Sequence, residues 1–122
     1  GGSPQLGAVI TQGVLVADDL AFDASGNLWV SSYGGWVTEF LASSLPSSPR
    51  AATIIGNLST PVGLTFDGNG NLWVANSADG SLVEFLASSL GGTPQRGTTI
   101  QGLTTPYWLA FDPPAYDLPL AQ

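Results

Sequence analysis

Histidine, cysteine and methionine are all absent from this chain. That removes thiol nucleophiles, thiolate and imidazole metal sites, and the ordinary general base at neutral pH. What remains for metal or acid–base chemistry is a set of nine carboxylates. The densest oxygen cluster is Asp67-Gly68-Asn69-Gly70-Asn71, which offers oxygens at alternating positions in the manner of a calcium loop. No glutamate closes that loop, and the matching stretch Asp23-Ala24-Ser25-Gly26-Asn27 carries alanine and serine in its middle. Both aspartates therefore read as turn residues that accept backbone N–H groups. Glu39 and Glu84 sit within apolar runs, where an acid/base pair would have to converge on one point. They occupy equivalent places in separate repeats, so they read as edge-facing or solvent-facing. No catalytic residue, metal ligand or cofactor is assigned, and the chain reads as non-enzymatic.

The elements that position these residues are repeats. Leu64-Thr65-Phe66-Asp67 and Leu72-Trp73-Val74 flank the Asn69-Gly70 turn, a strong hairpin signal that predicts a type I′ turn with positive φ at both residues. The same pattern stands at Leu20–Asp23 with Leu28–Val30, and begins again at Leu109–Asp112. Phe22 to Phe66 is 44 residues and Phe66 to Phe111 is 45. Each period holds four short apolar runs bounded by Gly, Pro, Asn or Asp, the signature of an all-β repeat protein. Ala42–Leu45 and Ala87–Leu90 have room for one helical turn, nothing longer. A four-stranded unit of this size has the dimensions of a β-propeller blade. The predicted organisation is an outer strand and lead-in over 8–19, blade one over 20–63, blade two over 64–108, and an inner strand with its tail over 109–122. Trp29 and Trp73, at equivalent positions, read as blade-packing residues rather than sugar platforms.

The pattern Pro61-x-Gly63-Leu64-x-Phe66-Asp67-x-x-Gly70-Asn71-Leu72-Trp73-Val74-x-Asn76 resembles the NHL-repeat propellers, especially the secreted bacterial ones grouped with streptogramin lyases and gluconolactonases. The first copy carries it through Leu20, Phe22, Asp23, Gly26, Asn27, Leu28, Trp29 and Val30. The resemblance implies rings of about five to eight blades, within the range propellers use. It also implies a metal-assisted lyase with catalytic histidines, or a lactonase with carboxylate and amide ligands at the ring centre. The histidines are missing and no position matches the lactonase ligands, so neither activity carries over.

Two and a half blades leave apolar faces open. The expected fold is thus a partial propeller of four-stranded antiparallel blades, completed by strand pairing between chains. Ala8, Val9, Ile10 and Thr11 of one copy would complete the blade begun by Trp108, Leu109, Phe111, Tyr116 and Leu118 of another. Pro113-Pro114-Ala115 and Pro119 depart from the repeat in that tail. The partner is therefore a second copy, with a ring dimer favoured; if the rotation does not close, a filament grows. The competing account is a piece of a longer single-chain propeller, whose open edges would aggregate in isolation.

Varied loops on a fixed scaffold are where binding usually lives. Tyr33, Trp36, Tyr107 and Trp108 differ between copies and, with Asp18, Asp19, Asn76 and Asp79, are expected to form an aromatic, acidic rim, of which Tyr33, Trp36, Asn76, Asp79 and Tyr107 would face a ligand. The function expected is a self-assembling structural scaffold or binding platform. A lectin-like glycan-binding propeller is the alternative, and a degenerate metal-dependent lyase or lactonase the second. Net charge is −7 with two arginines and no lysine, so no basic patch is available for nucleic acid or an anionic membrane. No apolar run is long enough to insert in a membrane as a helix. The chain opens Gly1-Gly2-Ser3 without methionine, which reads as a processed chain or an engineered start. With few charges and many small polar residues, the expected location is extracellular or at the cell surface.

Overall fold

The computed structural model describes residues 3, 5–11, 14, 16–46 and 48–108. The described chain is all-β: eight strands form two four-stranded antiparallel sheets, the arrangement of a partial propeller. The first sheet runs β1 (Ala17–Phe22), β2 (Leu28–Ser32), β3 (Trp36–Phe40) and β4 (Ala51–Ile55), in that spatial order. The second repeats it as β5 (Pro61–Phe66), β6 (Leu72–Asn76), β7 (Ser81–Phe85) and β8 (Arg96–Ile100). One-turn 3-10 helices, Ala42–Ser44 and Ala87–Ser89, link the third and fourth strands of each sheet.

The tight β1–β2 and β5–β6 hairpins differ from the expected turn type. Gly70 has φ +83° and Gly26 φ +84°, whereas Asn69 and Ser25 do not enter the positive-φ region. Gly70 donates its N–H to the Asp67 carbonyl at 3.0 Å, and Asp67 donates to the Asn71 carbonyl at 3.0 Å. This is a three-residue loop closed by a left-handed glycine, so only the glycine needs conformational freedom.

β1 and β5 start at Ala17 and Pro61, three residues ahead of the predicted blade boundaries at 20 and 64. Pro61 is admitted as the first residue of its strand, one of the few strand positions where its missing N–H is tolerated. In both inner strands the register slips, between Ala17 and Leu20 and between Pro61 and Leu64. These bulges re-aim Asp19 and Gly63, the residues at which neighbouring inner strands approach.

The core lies between the two sheets. Trp29, Val37 and Ile55 of the first sheet meet Leu64, Leu72, Val74, Val83 and Phe85 of the second. Trp29 is fully buried and meets the Phe66 ring edge-on, with centroids 6.0 Å apart. Polar contacts pin the same joint. The Leu64 N–H donates to Asp19 Oδ2 at 3.0 Å, and Ser31 Oγ–H donates to the Val62 carbonyl at 2.8 Å.

The predicted outer strand Ala8–Thr11 forms no ladder among the described residues. Instead Ala8, Ile10 and Val14 line a groove of about 240 Å³ with Ala17, Leu20, Leu28 and Val30, on the face of the first sheet turned away from the second. Val9 is exposed. Leu109, Phe111, Tyr116 and Leu118 lie outside the described residues.

Candidate functional site

Each hairpin carries the same polar clamp. Asp67 Oδ1 accepts the N–H groups of Asn69 and Asn71, each at 2.9 Å. Its Oδ2 accepts Asn71 Nδ2 and Trp73 Nε1, each at 3.0 Å. Asn71 Oδ1 in turn accepts the Ala87 N–H at 2.8 Å, tying the hairpin to the 3-10 turn. Asp23, Asn27, Trp29 and Ala42 repeat the set in the first sheet. One aspartate therefore fixes a turn, an amide rotamer, an indole and a neighbouring loop. Four donors already occupy each carboxylate, which is what a turn-forming role requires.

Partial burial pushes the Asp67 carboxyl upward, but hydrogen bonds from Trp73, Asn71 and Asn69 outweigh it and hold the group below its ordinary 3.8. At Asp23 burial is likewise overcome by donors from Trp29, Asn27 and Ser25. A depressed folded-state pKa contributes stability above the unfolded value, lost as pH falls through the folded one. Stability should thus begin to fall as pH drops below about 4, and the loss should be smaller in Asp67→Ala. Urea midpoints measured between about pH 5 and 2 check this; parallel curves for the two proteins would contradict it.

Backbone hydrogen bonds tie neighbouring loops together. The Leu58 N–H donates to the Gly35 carbonyl, Ser77 to Thr60, Ala78 to Ser59, and Leu103 to Gly80. These bonds place the β2–β3, β4–β5 and β6–β7 loops at one end of the sheets. Tyr33 and Tyr107 are exposed there, and Asp79 is exposed while accepting the Ser81 hydroxyl at 2.6 Å. Trp36 is half-buried, its ring so close to Gly34 that a Cβ at Gly34 would sit 2.6 Å from it. Asn76 is the correction. It is 1% exposed, its Nδ2 lies 3.5 Å from Ser81 Oγ, and its Oδ1 meets no donor among the described residues. It belongs to the interior end of β6, not to a ligand-facing surface.

Glu39 also departs from expectation. It is 6% exposed, opposite Trp29 and Thr53 in its sheet, and lines a cavity between the sheets with Asp23 and Phe66. Glu84 is half-buried and accepts the Thr98 N–H at 2.9 Å. The two carboxylates do different local work and form no pair.

Asp19, expected on the rim, instead joins the two sheets by accepting the Leu64 N–H. Its signal was the paired Asp18-Asp19 at the start of an apolar strand. Among the described residues no group of three or more acidic side chains converges on a point. Among them, too, no helix is long and apolar enough to cross a membrane. No protein-family model and no curated protein sequence matches the chain.

Proposed function

We propose that this chain is a non-enzymatic, self-assembling propeller module of NHL-repeat type, a scaffold or binding platform whose copies join head to tail. One observation carries the reading. Leu64 and Leu20 are equivalent residues of equivalent strands, yet Leu64 is 4% exposed and Leu20 is 57% exposed. The second sheet buries this position against the first; on the first sheet Val30, Thr38 and Phe40 of the same face are buried, and the open part is its β1 edge, Leu20 with Phe22. An exposed apolar patch of this kind is an association surface. A second copy is the partner this reading names, because the second sheet carries Trp73 at the position from which Trp29 packs onto the Leu64 face. Strand pairing between copies and export from the cell belong to the same reading; the low-charge, lysine-free composition supports the latter.

Light scattering with electron microscopy tests it. A discrete dimer supports a closed ring and long polymers support the open form, while a folded monomer at high concentration overturns the proposal. Because every copy carries −7, association should strengthen as salt screens the repulsion. Raising ionic strength from about 0.02 to 0.5 M, across which the Debye length shrinks to a few ångströms, should tighten it several-fold. Weakening by salt would point to a charge-driven contact instead.

A second reading, binding of a neutral sugar, rests on the groove lined by Gly34, Trp36, Ile54 and Asn57, an aromatic ring beside an amide. Titration calorimetry with a sugar panel tests it. Heat abolished by Trp36→Ala supports it, and no heat with any sugar removes it.

A further inference from the structure

We infer that Trp108 of one copy seats in the Leu20 groove of the next, and that this side chain is the anchor of the head-to-tail joint. The inference rests on the self-assembly proposed above and names the contact it uses.

Repeat register supplies the argument. Asp19, Gly63 and Trp108 are equivalent positions of the sequence repeat, 44 and 45 residues apart. At the first of these, Asp19 reaches across and holds the Leu64 N–H at 3.0 Å. At the second, Gly63 lets the following segment approach so closely that a Cβ there would lie 2.9 Å from the Trp108 Cα. Each time, the residue at this position meets the corresponding segment of the next repeat. For Trp108 the next strand would present a leucine equivalent to Leu20 and Leu64.

Both halves of that contact are open. Trp108 is 80% exposed, and its ring lies at a tilt to Tyr107, with centroids 5.9 Å apart. Leu20 is 57% exposed beside Phe22 at 59%. The groove next to it, about 240 Å³, has Leu28 and Val30 on one side and Ala8, Ile10 and Val14 on the other, and is large enough for an indole. An exposed tryptophan and an apolar groove in the register of an existing joint make the pattern of a central interface anchor. Where the internal joint uses a carboxylate on a backbone N–H, the joint between copies uses an aromatic ring.

The test uses two variants of the full chain and one control. Trp108→Ala removes the anchor and Leu20→Asp places a charge in the groove. Leu41→Ser removes an exposed apolar residue elsewhere (42% exposed). Circular dichroism should show Trp108→Ala folding like the parent, since its ring is mostly in solvent. By light scattering, Trp108→Ala should weaken self-association roughly 30-fold or more, the loss of a hot-spot residue. Leu41→Ser should leave it unchanged. Trp108→Ala keeps an intact groove and Leu20→Asp keeps an intact anchor, so mixing the two should restore a heterodimer that neither forms alone. If Trp108→Ala associates as the parent does, or the mixture fails to pair, the anchor is wrong while the proposal of self-assembly stands. If the parent itself is monomeric, both fall.

Discussion

Trp29→Ala is expected to destabilise the fold by about 3–5 kcal/mol, the range for deleting a fully buried aromatic side chain. A domain of this size holds about 5–15 kcal/mol in all, so much of the protein should be unfolded at 37 °C. Trp29 is completely buried, contributes the largest side chain of the core, and meets Phe66 edge-on across the sheet–sheet joint. Removing it opens a cavity in the joint, leaving Val37, Ile55 and the Leu64–Asp19 and Ser31–Val62 bonds to hold the sheets together. Trp73→Ala is the informative comparison. Trp73 has the same sequence context and the same indole bond to its aspartate, yet it is only half-buried. Its loss should cost clearly less, about 1–3 kcal/mol. Urea unfolding followed by circular dichroism at dilute concentration separates the two. Equal losses would mean that the indole–aspartate bond, which both share, sets the cost and the burial does not.

The repeat, strand order and apolar joint were legible because each rests on residue spacing. Finer features were not, and the reasons are physical. Asn69-Gly70 signals a type I′ turn when backbone preference acts alone. Here the Asp67 carboxylate takes the N–H groups of Asn69 and Asn71, stabilising a different loop in which only Gly70 is left-handed. Glu39 reads as solvent-facing because charge normally avoids a core, but its register opposite Trp29 sets it on the face that packs against the second sheet. Asn76 was read as part of the rim from its place at a strand end. The loop over it, Ser77 to Gly80, is folded back by bonds to Thr60 and Ser59 and encloses it. Asp19 was hidden by the bulge, which adds a residue to β1 and turns that side chain toward the next sheet.

Asp67→Ala is expected to cost about 2–4 kcal/mol, because the change leaves several donors without partners rather than removing one bond. Two are backbone N–H groups, one is the Asn71 amide and one the Trp73 indole. Losing the second pair also frees Asn71, whose Oδ1 holds the Ala87 N–H, so the adjoining 3-10 turn should loosen as well. Asp67→Asn is not a mild substitution here. Whichever way the new amide turns, its NH2 group faces donors and only one oxygen is left to accept. A double-mutant cycle isolates the bond to the indole, since Trp73→Phe keeps most of the ring area and deletes the N–H. The coupling between Asp67→Ala and Trp73→Phe should be about 1 kcal/mol. In the first sheet, Asp23→Ala with Trp29→Phe should give a larger value, because the indole there is fully buried and an orphaned donor cannot reach water. Equal coupling in the two sheets would show that water reaches both indoles alike, and zero coupling would reduce the clamp to a backbone turn.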